Sequence, residues 1–206
     1  MIPATRNRHQ ERSELSTARL LDAAAELIEE GGYEAMTLAA VGERAGYSRG
    51  LVTARFGSKD QLLVALVDRI TTRWSHRNVL PRTAGRSGRD GILVLIDAIR
   101  TQAERDPRAL RTLYALMFEA LGPNESLRRH FVDFHRTMRS DLAHLVRRGV
   151  RDGSVARRRR PDEEAMLVVA GLRGIAYQWR LDPDGFDPVA ALRVLAAATD
   201  QRLQAP

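Results

Sequence analysis

The segment Ser48-Arg49-Gly50-Leu51-Val52-Thr53-Ala54-Arg55-Phe56 carries the first recognisable chemistry. At helical spacing Val52 and Phe56 fall on one face, and Arg49, Gly50, Thr53 and Ala54 fall on the other. An apolar inner face beneath a small, polar outer face is the form of a helix that enters a DNA major groove. A second group has the character of a ligand pocket. Leu113, Tyr114, Met117, Phe118, Phe131, Phe134, His135 and Met138, with Gln178 further along, offer apolar and aromatic surface beside a few polar groups that could orient a small molecule. The same side chains also suit plain core filling, and both readings stay open. Asp141 and His144 stand i,i+3 on one expected helix and could share a metal, but two ligands alone make a weak site, and a surface ion pair is the commoner meaning of that spacing. There is no glycine-rich phosphate loop, no G-x-S-x-G elbow and no H-E-x-x-H pair, and the five histidines include no i,i+4 pair. No enzyme, metal or cofactor is expected.

These residues need helices to hold them. Proline breaks helix interiors, and the internal prolines at 81, 107, 123, 161, 183 and 188 each lie at the edge of a periodic apolar segment. Between them apolar residues recur at three and four, as in Leu20, Ala24, Leu27, Ile28 or Leu127, Phe131, Phe134, Met138, Leu142, Leu145. The pattern predicts an all-α fold, with about nine helices near 14–30, 37–45, 48–56, 59–78, 90–105, 107–121, 124–150, 161–181 and 187–204. Gly31-Gly32 ends the first. Thr37 caps the second, whose inward residues are Leu38, Val41 and Ala45, and Gly46 stops it; Ser48 caps the third. The polar, aperiodic stretch 79–89 is expected to be a flexible connector. Met166 to Ala176 is apolar nearly all round and must be covered on every side. The last helix adds the stripe Val189, Leu192, Leu195, Ala196 and Thr199, with small alanines beside it. A second copy of the chain, meeting the first through 161–181 and 187–204 in an isologous four-helix interface, is the expected cover.

Composition bounds the rest. A chain of 206 residues fits one or two domains and can build its own core. Without cysteine it has no disulfide and no thiolate nucleophile, which suits a reducing cytoplasm. The longest apolar or Ala/Gly run, Ala165 to Leu172, is too short for a bilayer, and Met1 to Gln10 lacks the apolar region of a secretory signal. No membrane contact and a cytoplasmic location are expected. The net charge of +7 is uneven: residues 1–60 hold 8 basic and 9 acidic side chains, and 61–206 hold 25 and 17. The excess therefore lies outside the helix-turn-helix segment and is weak support for DNA binding. Arg157 to Arg160 reads as a solvated loop, neutralised by Asp162, Glu163 and Glu164, or as a nucleic-acid patch.

Leu20-Leu21-Asp22-Ala23-Ala24-Ala25-Glu26-Leu27-Ile28, Gly31-Gly32-Tyr33-Glu34-Ala35-Met36-Thr37-Leu38, Ala45-Gly46-Tyr47-Ser48-Arg49-Gly50 and Phe56-Gly57-Ser58-Lys59-Asp60-Gln61-Leu62-Leu63 together resemble the TetR-type repressor DNA-binding domain. The likeness spans 14–74, with the helix-turn-helix at 37–56, and leaves 75–206 as a ligand-binding and dimerisation domain. Residues 149–195 more loosely resemble the BetI-type C-terminal domain. The resemblance implies a homodimeric transcriptional regulator, usually a repressor, released from a palindromic operator in double-stranded DNA by a small-molecule ligand. A dimeric ligand-binding module that no longer reads DNA is the alternative. Carried over by position, Arg49 and Thr53 would meet base edges and Leu51 a thymine methyl, with Gly50 between them. Thr37, Ser48, Arg55 and Lys59 would hold phosphates, though Thr37 and Ser48 serve equally as plain caps. Many relatives have Tyr where Thr53 stands, so Arg55 is the candidate replacement for that phosphate contact. The basic arm Arg6, Arg8, His9 and Arg12 either enters a minor groove or takes no part.

Overall fold

The computed structural model describes residues 8–204, with side chains from Glu11 onward. Among these residues the chain is entirely helical. The helices are α1 (Arg8–Ala35), α2 (Leu38–Ala45), α3 (Arg49–Phe56), α4 (Lys59–Asp68), α5 (Trp74–Asn78), α6 (Leu80–Thr83), α7 (Gly88–Arg105), α8 (Arg108–Glu119), α9 (Glu125–Asp152), α10 (Pro161–Leu181) and α11 (Pro188–Leu203). A π-helical turn, Arg69–Arg73, lies between α4 and α5. The all-α architecture stands as expected, with two differences. The helix expected over 59–78 is divided by the π turn, which takes one extra residue and so rotates the faces of α5 relative to those of α4. The connector expected over 79–89 is instead ordered. It contains α6, Val79 is buried with Val94 and Ala98 against Trp74 and Leu95, and Arg82 pairs with Asp97 at 2.6 Å. Buried Val79 and ties from residues distant in the chain anchor a stretch that has no periodicity to announce them.

Residue contacts divide the chain into two compact units, with the break between Arg69 and Ile70. In the first, α1 to α4 surround a core of Leu20, Ala24, Ile28, Met36, Val41, Val52, Leu62, Leu63 and Val67, all buried. Each fully buried Leu contributes about 1.5–3 kcal/mol. Regular helix in α1 breaks at Gly32 (φ 74°), which turns the chain toward α2. Arg44 on α2 reaches back to α1, donating to Glu30 at 2.7 and 2.8 Å and to Glu26 at 3.4 Å. Its guanidinium hydrogen bond holds the Glu30 carboxyl below the usual carboxylate range.

In the second unit α7 packs on α9 and α11, and α10 packs on α8, α9 and α11. Gly88, at the start of α7, and Gly149, near the end of α9, make the first crossing possible: a Cβ on Gly88 would lie 2.1 Å from the Gly149 nitrogen and 2.3 Å from the Leu145 oxygen. Asp152 accepts from the Gly88 N–H at 2.8 Å, and Arg89 pairs with Asp200 of α11 at 2.6 Å. The Arg157–Arg160 run is partly neutralised locally. Arg159 and Arg202 share the buried Glu164 at 3.4 and 2.5 Å, and Arg160 pairs with Glu163.

Candidate functional site

The turn between α2 and α3 sets the first site. Thr37 caps α2 by accepting from the Ala40 N–H at 3.1 Å. Gly46 takes the left-handed conformation (φ 76°) that ends it, where a Cβ would be strained. The Tyr47 N–H then bonds the Gly42 carbonyl at 2.7 Å. Gly42 is buried at this corner, and a Cβ there would meet the Tyr47 oxygen at 2.8 Å, so the tight turn requires the missing side chain. Ser48 caps α3 through the Leu51 N–H at 3.2 Å. Val52 and Phe56 face the core, while Arg49, Gly50, Thr53 and Ala54 are exposed and Leu51 is half-buried. Among the described residues Arg49 has no hydrogen-bond or ion-pair partner. A Cβ on Gly50 would meet only Ser48 Oγ at 3.7 Å, an ordinary contact. The fold makes no demand for glycine there.

The two other cations expected on this surface are engaged within the unit. Arg55 donates to the hydroxyls of Ser13 and Ser16 on α1, the latter at 3.3 Å. Lys59 donates to the Tyr33 carbonyl at 2.9 Å, with its ammonium 3.7 Å from the centre of the Tyr33 ring. Both keep donors in reserve, since an ammonium has three and a guanidinium five. Of the basic arm, Arg6 and the side chains of Arg8 and His9 lie outside the described residues, and Arg12 is exposed on α1.

The second site is a cavity of about 540 Å³ in the second unit, walled by the π turn and α5 to α10. Such a volume is within the range for small-molecule sites. Leu113, Tyr114, Phe134 and Met138 line it. The other expected ligand residues do not. Phe131 is buried core, Phe118 stacks edge-on against exposed Tyr177 at 6.0 Å, and Gln178 is exposed. His135 is not part of the lining; its Nδ1 meets the Phe131 carbonyl at 2.8 Å, and burial pulls its pKa down, so the ring stays neutral at pH 7. Met117 reaches the site only through Arg173. Asp141 and His144 both line the cavity, and no group of three or more His, Asp or Glu among the described residues could hold a metal.

Several lining residues escaped the sequence. Trp74, whose indole N–H donates to Gln102 at 3.0 Å, lies beyond the expected ligand helices, as does buried Thr71 in the π turn. Arg173 was hidden in the apolar run of α10. A lone charge inside the run Met166 to Ala176 was the available signal, because a charged side chain among apolar ones is uncommon without a purpose.

Both units have counterparts among known proteins. Residues 20–66 match the family model for bacterial regulatory proteins of the tetR family, and residues 88–204 match that for the C-terminal domain of BetI-type transcriptional repressors. The HTH-type transcriptional regulator BetI of Paraburkholderia phytofirmans is 28% identical over 182 residues, covering 88% of this chain and 90% of that protein. A regulator from Saccharomonospora viridis, solved in complex with choline, superimposes with a TM-score of 0.78 at 19% identity, over 94% of this chain and all of that one. The SmeT–triclosan complex, SmeT being the repressor of a Stenotrophomonas maltophilia efflux pump, superimposes with a TM-score of 0.75 at 26% identity, over 89% and 91%.

Proposed function

Since the chain belongs to the TetR family of bacterial regulatory proteins, with a C-terminal domain of the BetI type, we propose that it works as a homodimeric repressor that leaves a palindromic operator when a small molecule fills its cavity. It is a helix-turn-helix transcriptional regulator. The observation that carries the reading is the outer face of α3: an exposed, unpartnered Arg49 beside a glycine that the fold itself does not require. An arginine so placed can pair with guanine O6 and N7, and the absent Cβ at Gly50 allows close approach. Thr53 and Leu51 complete the reading face. Thr37 and Ser48 use only acceptor capacity in capping, so their hydroxyl protons remain for phosphate oxygens; Arg55 and Lys59 supply their reserve donors.

Dimerisation rests on α10 and α11, where Met166 (54%), Leu167 (44%), Tyr177 (55%), Leu181 (71%) and Val194 (69%) are exposed in the single chain. A symmetric pairing would cover them, and a palindromic operator would then require two recognition helices about 34–36 Å apart, or a multiple. A ligand need only favour a dimer of different spacing to release DNA. The cavity wall begins at Ile70, immediately after the first unit ends. The site of action is the cytoplasm, where the operator is accessible, and no turnover accompanies binding.

Selection of duplexes from a random pool by the purified protein tests this reading. A palindromic motif is expected. Recovery of no motif by folded, dimeric protein would replace the reading with that of a ligand-binding module that no longer reads DNA.

A further inference from the structure

Among the described residues Arg173 is a cation without a counter-ion. It enters from α10 and lines the cavity beside Tyr114 and Phe134, its guanidinium carbon 5.9 and 5.8 Å from the two ring centres. Its Nη1 and Nη2 donate only to the thioether sulfurs of Met117 at 3.3 Å and Met138 at 3.4 Å, and its buried Nε has no partner. Sulfur is a weak acceptor, and neither thioether nor ring carries charge. Among the described residues no carboxylate pairs with Arg173. Burial pulls its pKa down, but a guanidinium starts so far above neutrality that it keeps its proton.

A half-buried charge whose Nε is sealed from solvent and that faces no carboxylate is costly, and a fold that keeps one has a use for it. The other arginine on the wall, Arg148, also has a buried Nε without a partner, but it gives Nη2 to the Arg86 and Ser87 carbonyls at 2.6 and 3.0 Å and has the Asp152 carboxylate near enough to act on it. The neighbouring titratable groups do not neutralise Arg173 either. His135 is neutral, and burial raises the Tyr114 phenol above its ordinary value, leaving it a neutral donor. Leu110, Leu113 and Leu142 give the wall its apolar surface, and of the titratable lining groups Asp141 and His144 on α9, neither pairs with Arg173.

We propose that the cavity takes an amphipathic carboxylate: the apolar body fills the space between α7, α8 and α9, and the carboxylate displaces the two thioethers from Arg173 and accepts a forked, charge-assisted pair of hydrogen bonds. Two parallel N–H donors match the two carboxylate oxygens, which favours a planar carboxylate over a neutral hydroxyl. A quaternary ammonium such as the choline bound by the Saccharomonospora viridis protein would meet a like charge here. The inference rests on the cavity being the ligand site of the regulator.

Decanoate, decanol and decyltrimethylammonium share one apolar body and differ in the charge of the head. Their binding to the full chain is followed by tryptophan fluorescence, since Trp74 lines the cavity and Trp179 stacks on Tyr114. Decanoate is expected to bind at least ten-fold more tightly than decanol, with the ammonium weakest. Arg173→Met should bring decanoate to the level of decanol while leaving decanol within about two-fold. Equal binding of the three heads, or preference for the ammonium, would overturn the inference and leave the cavity as a ligand site. Binding of none of them would overturn the cavity reading itself. If Arg173→Met fails to fold, the series of heads on the unaltered protein still decides.

Discussion

Arg49 and Lys59 are both cations of the first unit, yet their surroundings assign them different work. Among the described residues Arg49 has no partner on the outer face of α3, so its donors are available to a base edge. Arg49→Ala should cost about 1–3 kcal/mol of operator affinity and relax one position of the recognised sequence, measured by anisotropy against single-base operator variants. Lys59 is anchored on Tyr33 and can only extend a spare donor to a phosphate. Lys59→Ala should weaken all duplexes alike and lower the salt slope by about one, and it should also lower the melting temperature, because the tie to α1 goes with it. Parent-like affinity in both variants would remove α3 and the start of α4 from the DNA surface. The position of Arg49 on an outer face was legible from Val52 and Phe56 alone. That Arg55 rests on Ser13 and Ser16 was not, because the contact joins residues far apart in the chain.

Helix ends and crossings hold the second unit in shape. Gly88 lets α7 touch the backbone of α9, and Gly88→Ala should destabilise the protein toward the upper end of about 1–3 kcal/mol in a urea titration. A parent-like midpoint would mean that the crossing relaxes freely. Asp152 ties the same junction. Hydrogen bonds from Ser154, first from its hydroxyl, and from the Gly88 N–H hold its carboxyl below the ordinary range. A carboxyl with a depressed folded pKa contributes stability that is present above its unfolded value, about 3.9, and lost as pH falls through the folded value. Asp97 and Asp200 are shifted the same way by Arg82 and Arg89. Stability should therefore drop as pH falls below about 4, and Asp152→Asn should make that drop shallower; an unchanged slope would remove Asp152 from the linkage.

For the whole molecule, the exposed apolar residues of α10 and α11 ask for a partner. A glutamate within that surface would be desolvated without a counter-charge, so Leu167→Glu should convert a dimer to a folded monomer and abolish tight operator binding. Sedimentation equilibrium reads the first effect and anisotropy the second. A variant that stays dimeric would move the interface elsewhere.

Periodicity, prolines and caps made the helices and the helix-turn-helix readable along the chain, because each depends on residues within one or two turns of each other. Thr37, Gly46 and Ser48 stand where local rules put them. The cavity had no such signature. Its wall joins Trp74, Gln102, Tyr114, Met138 and Arg173, which share no period, and Phe118 and Phe131 have the same composition as true wall residues yet lie at the surface and in the core. Whether an aromatic fills a core, faces solvent or borders a space depends on the crossing of α7 to α10. That crossing is fixed by contacts such as Gly88 against Gly149, between residues that the chain keeps far apart and packing brings together.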